Sequence, residues 1–228
     1  MDDDKTGMQI SEPYDLWLDA AIFTLLRGRL TSLDADRANE VGLNLMMVAR
    51  AQYAVGLAFE RFSKANADYE RNETKPGAKS GIAVTLRRFA EVHSFLVSAA
   101  LFWSTLGAVE ARVNVSELSA ALVDHSAMIE STKRARHHAE HINERIVGGR
   151  AAHFGGVMTP EVFRQALGYV NATRVTYGDE TFDLAEFAAA IERVGKEVAP
   201  RLRELLELHP TIRIVPADEQ RPHLPRTS

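Results

Sequence analysis

The chain contains no cysteine among its 228 residues. This absence excludes a disulfide framework, a zinc site built on thiolates and a cysteine nucleophile. No charge of one sign dominates either, since 27 Lys and Arg face 31 Asp and Glu and the formal net charge is −4. A protein with this balance has no global positive field that recruits nucleic acid or membrane phosphates, so binding of a polyanion requires a local basic patch.

Two cofactor classes also lack their sequence motifs. The chain has no glycine-rich phosphate loop, so we expect no nucleotide cofactor. It has no Glu-x-x-His pair, which argues against a di-iron carboxylate bundle. The hydrophobic content of 46% is that of an ordinary globular protein rather than a disordered one. We therefore expect a folded protein that needs no cofactor.

Neither the N-terminal segment nor the most apolar segment predicts a membrane protein. The N-terminus, MDDDKTGMQ, is acidic where a secretory signal requires positive charge, and we interpret 1–11 as a flexible leader. The segment 94–109 is uncharged but shorter than the roughly 20 residues that span a bilayer. We predict a buried core helix there, no membrane partner and a cytoplasmic location.

Apolar residues recur at spacings of three and four through the first 147 positions, the pattern of amphipathic helices. We therefore predict an all-α fold, a bundle of four to five helices with its core over 12–147. The predicted helices run from about 12 to 30, 32 or 34 to 69, 82 to 112, and 117 to 147. The polar, proline- and glycine-containing stretch 70–81 is predicted to be a loop.

The pattern changes after the predicted bundle. Residues 169–177, YVNATRVTY, are rich in β-branched and aromatic side chains, and the Gly-Asp-Glu that follows is typical of a turn, which predicts a small β-hairpin. Asp183 and Glu186 have the capping-box spacing and predict a last helix over 184–208, kinked or split at Pro200. We predict one helical domain over 12–209, in which 160–209 holds the hairpin and last helix, and a mobile tail over 210–228.

Basic residues and histidines concentrate between Lys133 and His153, in KRARHHAEHINERIVGGRAAH. On a helical wheel of about 100° per residue, the apolar residues of this segment lie around the direction of Ala139. Arg136 falls at the edge of this apolar face. The outward face carries Arg134, His137, His141 and Arg145. The sequence therefore predicts an exposed, locally basic surface.

Within this segment RHHAEH, Arg136 to His141, resembles the signature of the HEPN family. That signature is an arginine and a histidine separated by four to six residues in an all-helical domain, with a polar residue, here His137, after the arginine. The resemblance covers about 12–147. It implies a homodimer in which two such helices face each other and, commonly, a metal-independent endoribonuclease of toxin or antiviral-defence type that acts on RNA and is held by a protein antidote.

The resemblance also implies roles for individual residues. His141 would act as general acid and base around attack by a ribose 2′-hydroxyl, and Arg136 would stabilise charge on the phosphate. His137 would assist or orient. The residues expected to bind phosphate or RNA are Lys133, Arg134 and Arg145. Many HEPN-like domains lack catalysis, so the alternative is a non-catalytic interaction or dimerisation module.

Two other interpretations of the same residues stay open. The cluster could be a solvated helix face, with Arg136 paired to Glu140 and Arg134 paired to Glu130. It could also bind a metal, because His137 and His141 lie one turn apart and HHAEH matches the inverted zinc-protease pattern. A third ligand on a suitable scaffold is lacking, so we expect no metal.

The arginine and histidine spacing also occurs elsewhere. Arg87 and Arg88 have it with His93, and Arg203 has it with His209. These sites lack the polar residue after the arginine or lie outside the matching helix. They serve as internal comparisons for the site at Arg136.

Overall fold

The computed structural model describes residues 11–30, 35–73, 81–113, 115–140, 169–177 and 180–208. These residues form an all-α helical bundle with one small antiparallel sheet. The helices are α1 (Ser11–Leu30), α2 (Ala35–Glu73), α3 (Gly81–Val113), α4 (Ser116–Asp124), α5 (Ser126–Glu140) and α6 (Leu184–Leu208). The strands are β1 (Tyr169–Asn171), β2 (Arg174–Tyr177) and β3 (Glu180–Asp183).

The predicted fold class is confirmed, and the first and last helices have nearly the predicted bounds. Helix α6 continues through Pro200 without interruption, so the predicted split does not occur. Helix α2 extends to Glu73, four residues into the predicted loop. Those four residues, ERNE, include three charged side chains with good helix propensity, which accounts for the extension. The predicted tail over 210–228 lies outside the described residues.

The prediction of one continuous fourth helix was wrong at His125. This residue forms a turn between α4 and α5. Its carbonyl accepts a hydrogen bond from the Ile129 amide at 2.9 Å, which closes the first turn of α5. No proline or glycine marks the break, so the helical periodicity on both sides concealed it. The predicted end of this helix near Val147 lies outside the described residues.

The sheet has three strands in the order β1-β2-β3, where one hairpin was predicted. Val170 pairs with Val175, and Val175 pairs with Phe182, so one face of the sheet presents three buried apolar side chains. The additional turn lies between β1 and β2, where Ala172 has a φ of 49°. An alanine in this left-handed region costs about 1 kcal/mol.

Asp183 begins α6 as the capping-box spacing predicts. Its Oδ1 accepts hydrogen bonds from the amides of Ala185 at 3.0 Å and Glu186 at 3.4 Å. Burial by itself raises the pKa of Asp183, but hydrogen bonds from Thr173, these two amides and Arg174 outweigh burial and hold that pKa below its ordinary value. The cap is therefore occupied by a carboxylate that the fold stabilises.

The chain divides into two compact units, and the divisions fall within α2, α3 and α6 and between α4 and α5. The first contains the described parts of Met1–Arg50, Phe102–Asp124 and Arg193–Ser228. Its core includes Trp17, which meets the Phe102 ring edge-on with centroids 6.5 Å apart. Burial of such aromatic rings is the largest single contribution a side chain makes to a core of this size.

A glycine sets the distance between α1 and α2 in the first unit. A Cβ added at Gly42 would lie 2.6 Å from Cγ of Leu25 and 3.3 Å from the carbonyl oxygen of Ala21. The two helices therefore approach each other so closely that any residue other than glycine at this position requires the Leu25 side chain to shift. Because α1 ends at Leu30 and α2 begins at Ala35, a contact of 21 and 25 with 42 requires the chain to turn back, so we infer that α2 runs roughly antiparallel to α1.

The second unit contains the described parts of Ala51–Leu101 and His125–Glu192. Its core includes the rings of Phe59 and Phe95, with centroids 6.1 Å apart, and the buried apolar face of the sheet. Arg88 is also buried here, at 5% exposure. A buried cation is costly unless it has partners, and the partners of this one are described below.

Helix α3 is the one described helix long and apolar enough to cross a membrane, with a mean hydropathy of 1.5 over its most apolar window. Within the protein 56% of that window is buried. The fully buried large side chains of α3 are Phe95, Leu96, Phe102 and Leu106. This burial supports the predicted core helix.

Candidate functional site

Helix α5 separates a small buried face from an exposed basic one. Thr132, Ala135 and Ala139 recur at spacings of three and four and are buried. The buried direction predicted around Ala139 is therefore confirmed. The exposed residues of α5 include Lys133, Arg134, Arg136 and His137. Arg136, predicted at the edge of the apolar face, is 46% exposed, less than the 53% of Arg134 on the outward face.

Two cations of the predicted site pair with carboxylates on α5 itself. Arg136 Nε donates to Oε1 of Glu140 at 2.7 Å, the i,i+4 pair expected for a solvated face. Lys133 Nζ lies 2.6 Å from Oε1 of Glu130. Glu130 therefore pairs with Lys133, where pairing with Arg134 was predicted. Such exposed helix pairs contribute about 0.3–0.5 kcal/mol each.

Arg134 pairs with the sheet rather than with its own helix. Its Nε donates to Oε2 of Glu180 in β3 at 3.0 Å, and the two side chains are 53% and 42% exposed. The 46 positions between these residues hide the pair from any local sequence pattern. Every described cation assigned to phosphate or RNA contact, and Arg136 as well, thus has a carboxylate within 3.0 Å.

The two described histidines of the site differ in their surroundings. His137 is exposed, as predicted, and its ring centroid lies 6.3 Å from that of His138. His138 is half-buried and its ring lies 6.4 Å from the Phe182 ring of β3. His138 therefore belongs to the contact between α5 and the sheet, and His137 is the imidazole that a ligand can reach.

His141 and Arg145 lie outside the described residues. The catalytic prediction depends on the distance between the Arg136 and His141 side chains. It therefore stays a prediction. The same holds for a metal held by His137 and His141. Within the described ranges, no three His, Asp or Glu side chains come together in a group that could hold a metal ion.

The internal comparison sites have structural roles where the chain is described. Arg88 Nη2 donates to the carbonyl oxygen of Val170 at 2.9 Å, and its guanidinium lies over the Tyr69 ring, 4.1 Å from the centroid. Arg203 Nη1 lies 3.2 Å from Oδ2 of Asp19. A matching arginine and histidine spacing is therefore compatible with a purely structural arginine.

Neither a family model, nor a curated protein, nor a solved structure matches the chain. The fold defines the structural class of the protein, which is an all-α helical bundle with a small sheet before its last helix. Membership of the HEPN family stays a prediction carried by Arg136 and His141.

Proposed function

We propose that the chain is a non-catalytic interaction module, the second of the two functions that the HEPN resemblance implies, and that it docks a partner protein through the charged face of α5. The observation that supports this proposal is the pairing of every described cation in the cluster. Lys133, Arg134 and Arg136 have one carboxylate each, so three positive charges face three negative ones.

A surface of mixed charge suits a protein partner better than RNA. Binding to a nucleic acid gains most of its free energy when unpaired cations displace the counterions of the phosphates. A cation already held by a carboxylate must give up that partner first, which reduces the gain. A protein surface can match alternating charges of both signs, and this match gives orientation and specificity.

The first experiment separates docking from catalysis. Purified protein is incubated with a mixed RNA pool in EDTA beside the His141→Ala variant, and 2′,3′-cyclic phosphate ends are measured. We expect no cleavage by either protein. Cleavage by the wild type alone would contradict the proposal and would establish a metal-independent endoribonuclease.

The second experiment tests the docking face directly. An Arg134→Glu variant and an Arg87→Glu control are compared for the proteins they retain from an extract of the native cells. The control is matched, because the two side chains are 53% and 51% exposed and both pair with a carboxylate. We expect a partner retained by the control and lost by Arg134→Glu. Equal retention would exclude the α5 face.

The endoribonuclease is the second candidate, favoured by the adjacent exposure of Arg136 and His137. In this scheme His141 moves the proton of the attacking 2′-hydroxyl and Arg136 exchanges Glu140 for the phosphate. His137 orients the reacting groups. The backbone contacts come from Lys133, Arg134 and Arg145. The RNA assay above decides between the two candidates.

A further inference from the structure

Helix α2 exposes one continuous row of side chains in the first unit. The row steps by three and four residues and consists of Asp36, Asn39, Leu43, Met46 and Arg50, all exposed. Leu43 is 57% and Met46 is 41% exposed. This is the heptad spacing with which one helix packs against another, and here no described helix covers it.

Helix α1 widens the apolar part of this row. Ile22 is 46% and Leu26 is 53% exposed. Ile22 follows Ala21 and Leu26 follows Leu25, the two residues that contact Gly42. Leu43 likewise follows Gly42 itself. Because the two helices are antiparallel, these one-residue steps of about 100° turn toward the same side of the hairpin. The four apolar residues therefore form one patch.

Charges of opposite sign flank the patch at equal distances. Asp36 lies seven residues before Leu43 and Arg50 lies seven residues after it, about 10 Å along the axis in each direction. Seven residues return almost to the same face of a helix. Within the described part of the chain, neither Asp36 nor Arg50 has an ion-pair partner.

Neighbouring acidic residues of the same unit do have partners. Glu40 Oε1 lies 2.7 Å from Nη2 of Arg112, and Asp19 pairs with Arg203. Glu40 and Asp19 are thus neutralised inside the chain, whereas the two charges on the exposed row stay available to a partner. Asp36 and Arg50 lie at equal distances on either side of Leu43, so a second copy of the chain would offer each of them an oppositely charged partner.

We propose that this face binds a second copy of the chain, with the two α2 helices antiparallel and the two-fold axis at Leu43. In this register Asp36 of each protomer faces the partner subunit's Arg50, so the pair forms twice. A parallel arrangement would instead place like charges opposite each other. The patch of Ile22, Leu26, Leu43 and Met46 then buries itself against its own symmetry copy, the arrangement of an isologous dimer.

This interface differs from the one that the HEPN resemblance implies, in which the helices carrying Arg136 face each other. It shares no residue with the α5 face of the proposed function. The two surfaces are independent, so either can fail without the other.

The test uses charge reversal in the full-length protein, with the dissociation constant of the dimer measured by sedimentation velocity. Asp36→Arg and Arg50→Asp should each weaken the homodimer by roughly tenfold or more, because each places like charges opposite each other. Mixing the two variants should restore a heterodimer, since both of its charge pairs are again opposite in sign. Misfolding of either variant cannot give this restoration.

Two further variants complete the test. Leu43→Glu should give a folded monomer whose thermal unfolding midpoint matches that of the wild type diluted until it is monomeric, since the side chain is exposed in the protomer. Arg134→Glu should leave the dimer intact. A wild-type protein that is monomeric at all accessible concentrations, a mixture that fails to associate, or a dimer lost through Arg134→Glu would each overturn the proposal.

Discussion

The buried guanidinium of Arg88 in α3 donates a hydrogen bond to the backbone carbonyl of Val170 in β1, 82 positions later in the chain. The same cation lies over the Tyr69 ring of α2. One side chain therefore joins two long helices to the first strand of the sheet. Strand β1 lies at the edge of the sheet, and the Val170 carbonyl accepts its hydrogen bond from Arg88.

Replacement of Arg88 by Met should destabilise the protein by about 2–3 kcal/mol, because a hydrogen bond from a charged donor is lost and the Val170 carbonyl loses its partner in a buried site. Urea unfolding measures the free-energy difference. Arg87→Met is the neighbouring control, since Arg87 is 51% exposed and lies 3.9 Å from Asp68. Its effect should stay within about 0.5 kcal/mol. Equal effects of the two variants would refute this role for Arg88.

Gly42→Ala should destabilise the protein by about 1–2 kcal/mol. The added methyl clashes with the Leu25 side chain, and the cost of this overpacking, about 1–3 kcal/mol, exceeds the gain of about 1 kcal/mol in helix propensity. Gly107 in α3 is the matched control, because a Cβ there meets nothing within 4 Å. Gly107→Ala should stabilise by up to about 1 kcal/mol. Thermal or urea unfolding of the two variants should therefore give shifts of opposite sign.

Asp183→Asn should change the pH dependence of stability. The depressed pKa of Asp183 means that its carboxylate contributes stability that is fully present above the unfolded-state pKa, about 3.9, and is lost as pH falls through the lower folded-state pKa. Asparagine keeps the N-cap hydrogen bonds but not the charge. The stability difference between wild type and variant should therefore shrink below about pH 4. A difference that stays constant from pH 6 to 3 would contradict this assignment.

The Arg134 and Glu180 pair should contribute little to stability. Both side chains are about half-exposed, and exposed pairs are typically worth 0–1 kcal/mol after solvent screening. A double-mutant cycle with alanine at both positions should give a coupling within about 1 kcal/mol that decreases in 1 M salt. A larger, salt-independent coupling would show that the pair fixes α5 to the sheet.

The helices could be predicted because their apolar spacing is local. Helix α6 has the predicted bounds since Asp183 caps its start and its periodicity is regular throughout. The break at His125 could not be predicted, because neither proline nor glycine lies at this position or beside it, where the neighbours are Asp124 and Ser126. The turn at Ala172 was missed for the same reason, since alanine is not a turn residue.

The site was predictable only in part. The exposure of Arg134 and His137 follows from the helical wheel, because burial of Ala135 and Ala139 fixes the rotation of α5. The carboxylate that pairs with Arg134 comes from β3, and no periodicity in the sequence relates the two. The role of the cluster depends on such long-range partners, which is why the residues alone left several functions open.

The turn at Ala172 has a consequence for how the smallest element of the fold is specified. Strands of three and four residues have few side chains with which to enforce their alignment, and a slip by one residue would move Val170 and Val175 to the opposite face. A two-residue connection with one left-handed residue permits a single alignment of the strands it joins. The turn at Ala172 thus helps to determine which side chains of β1 and β2 reach the core.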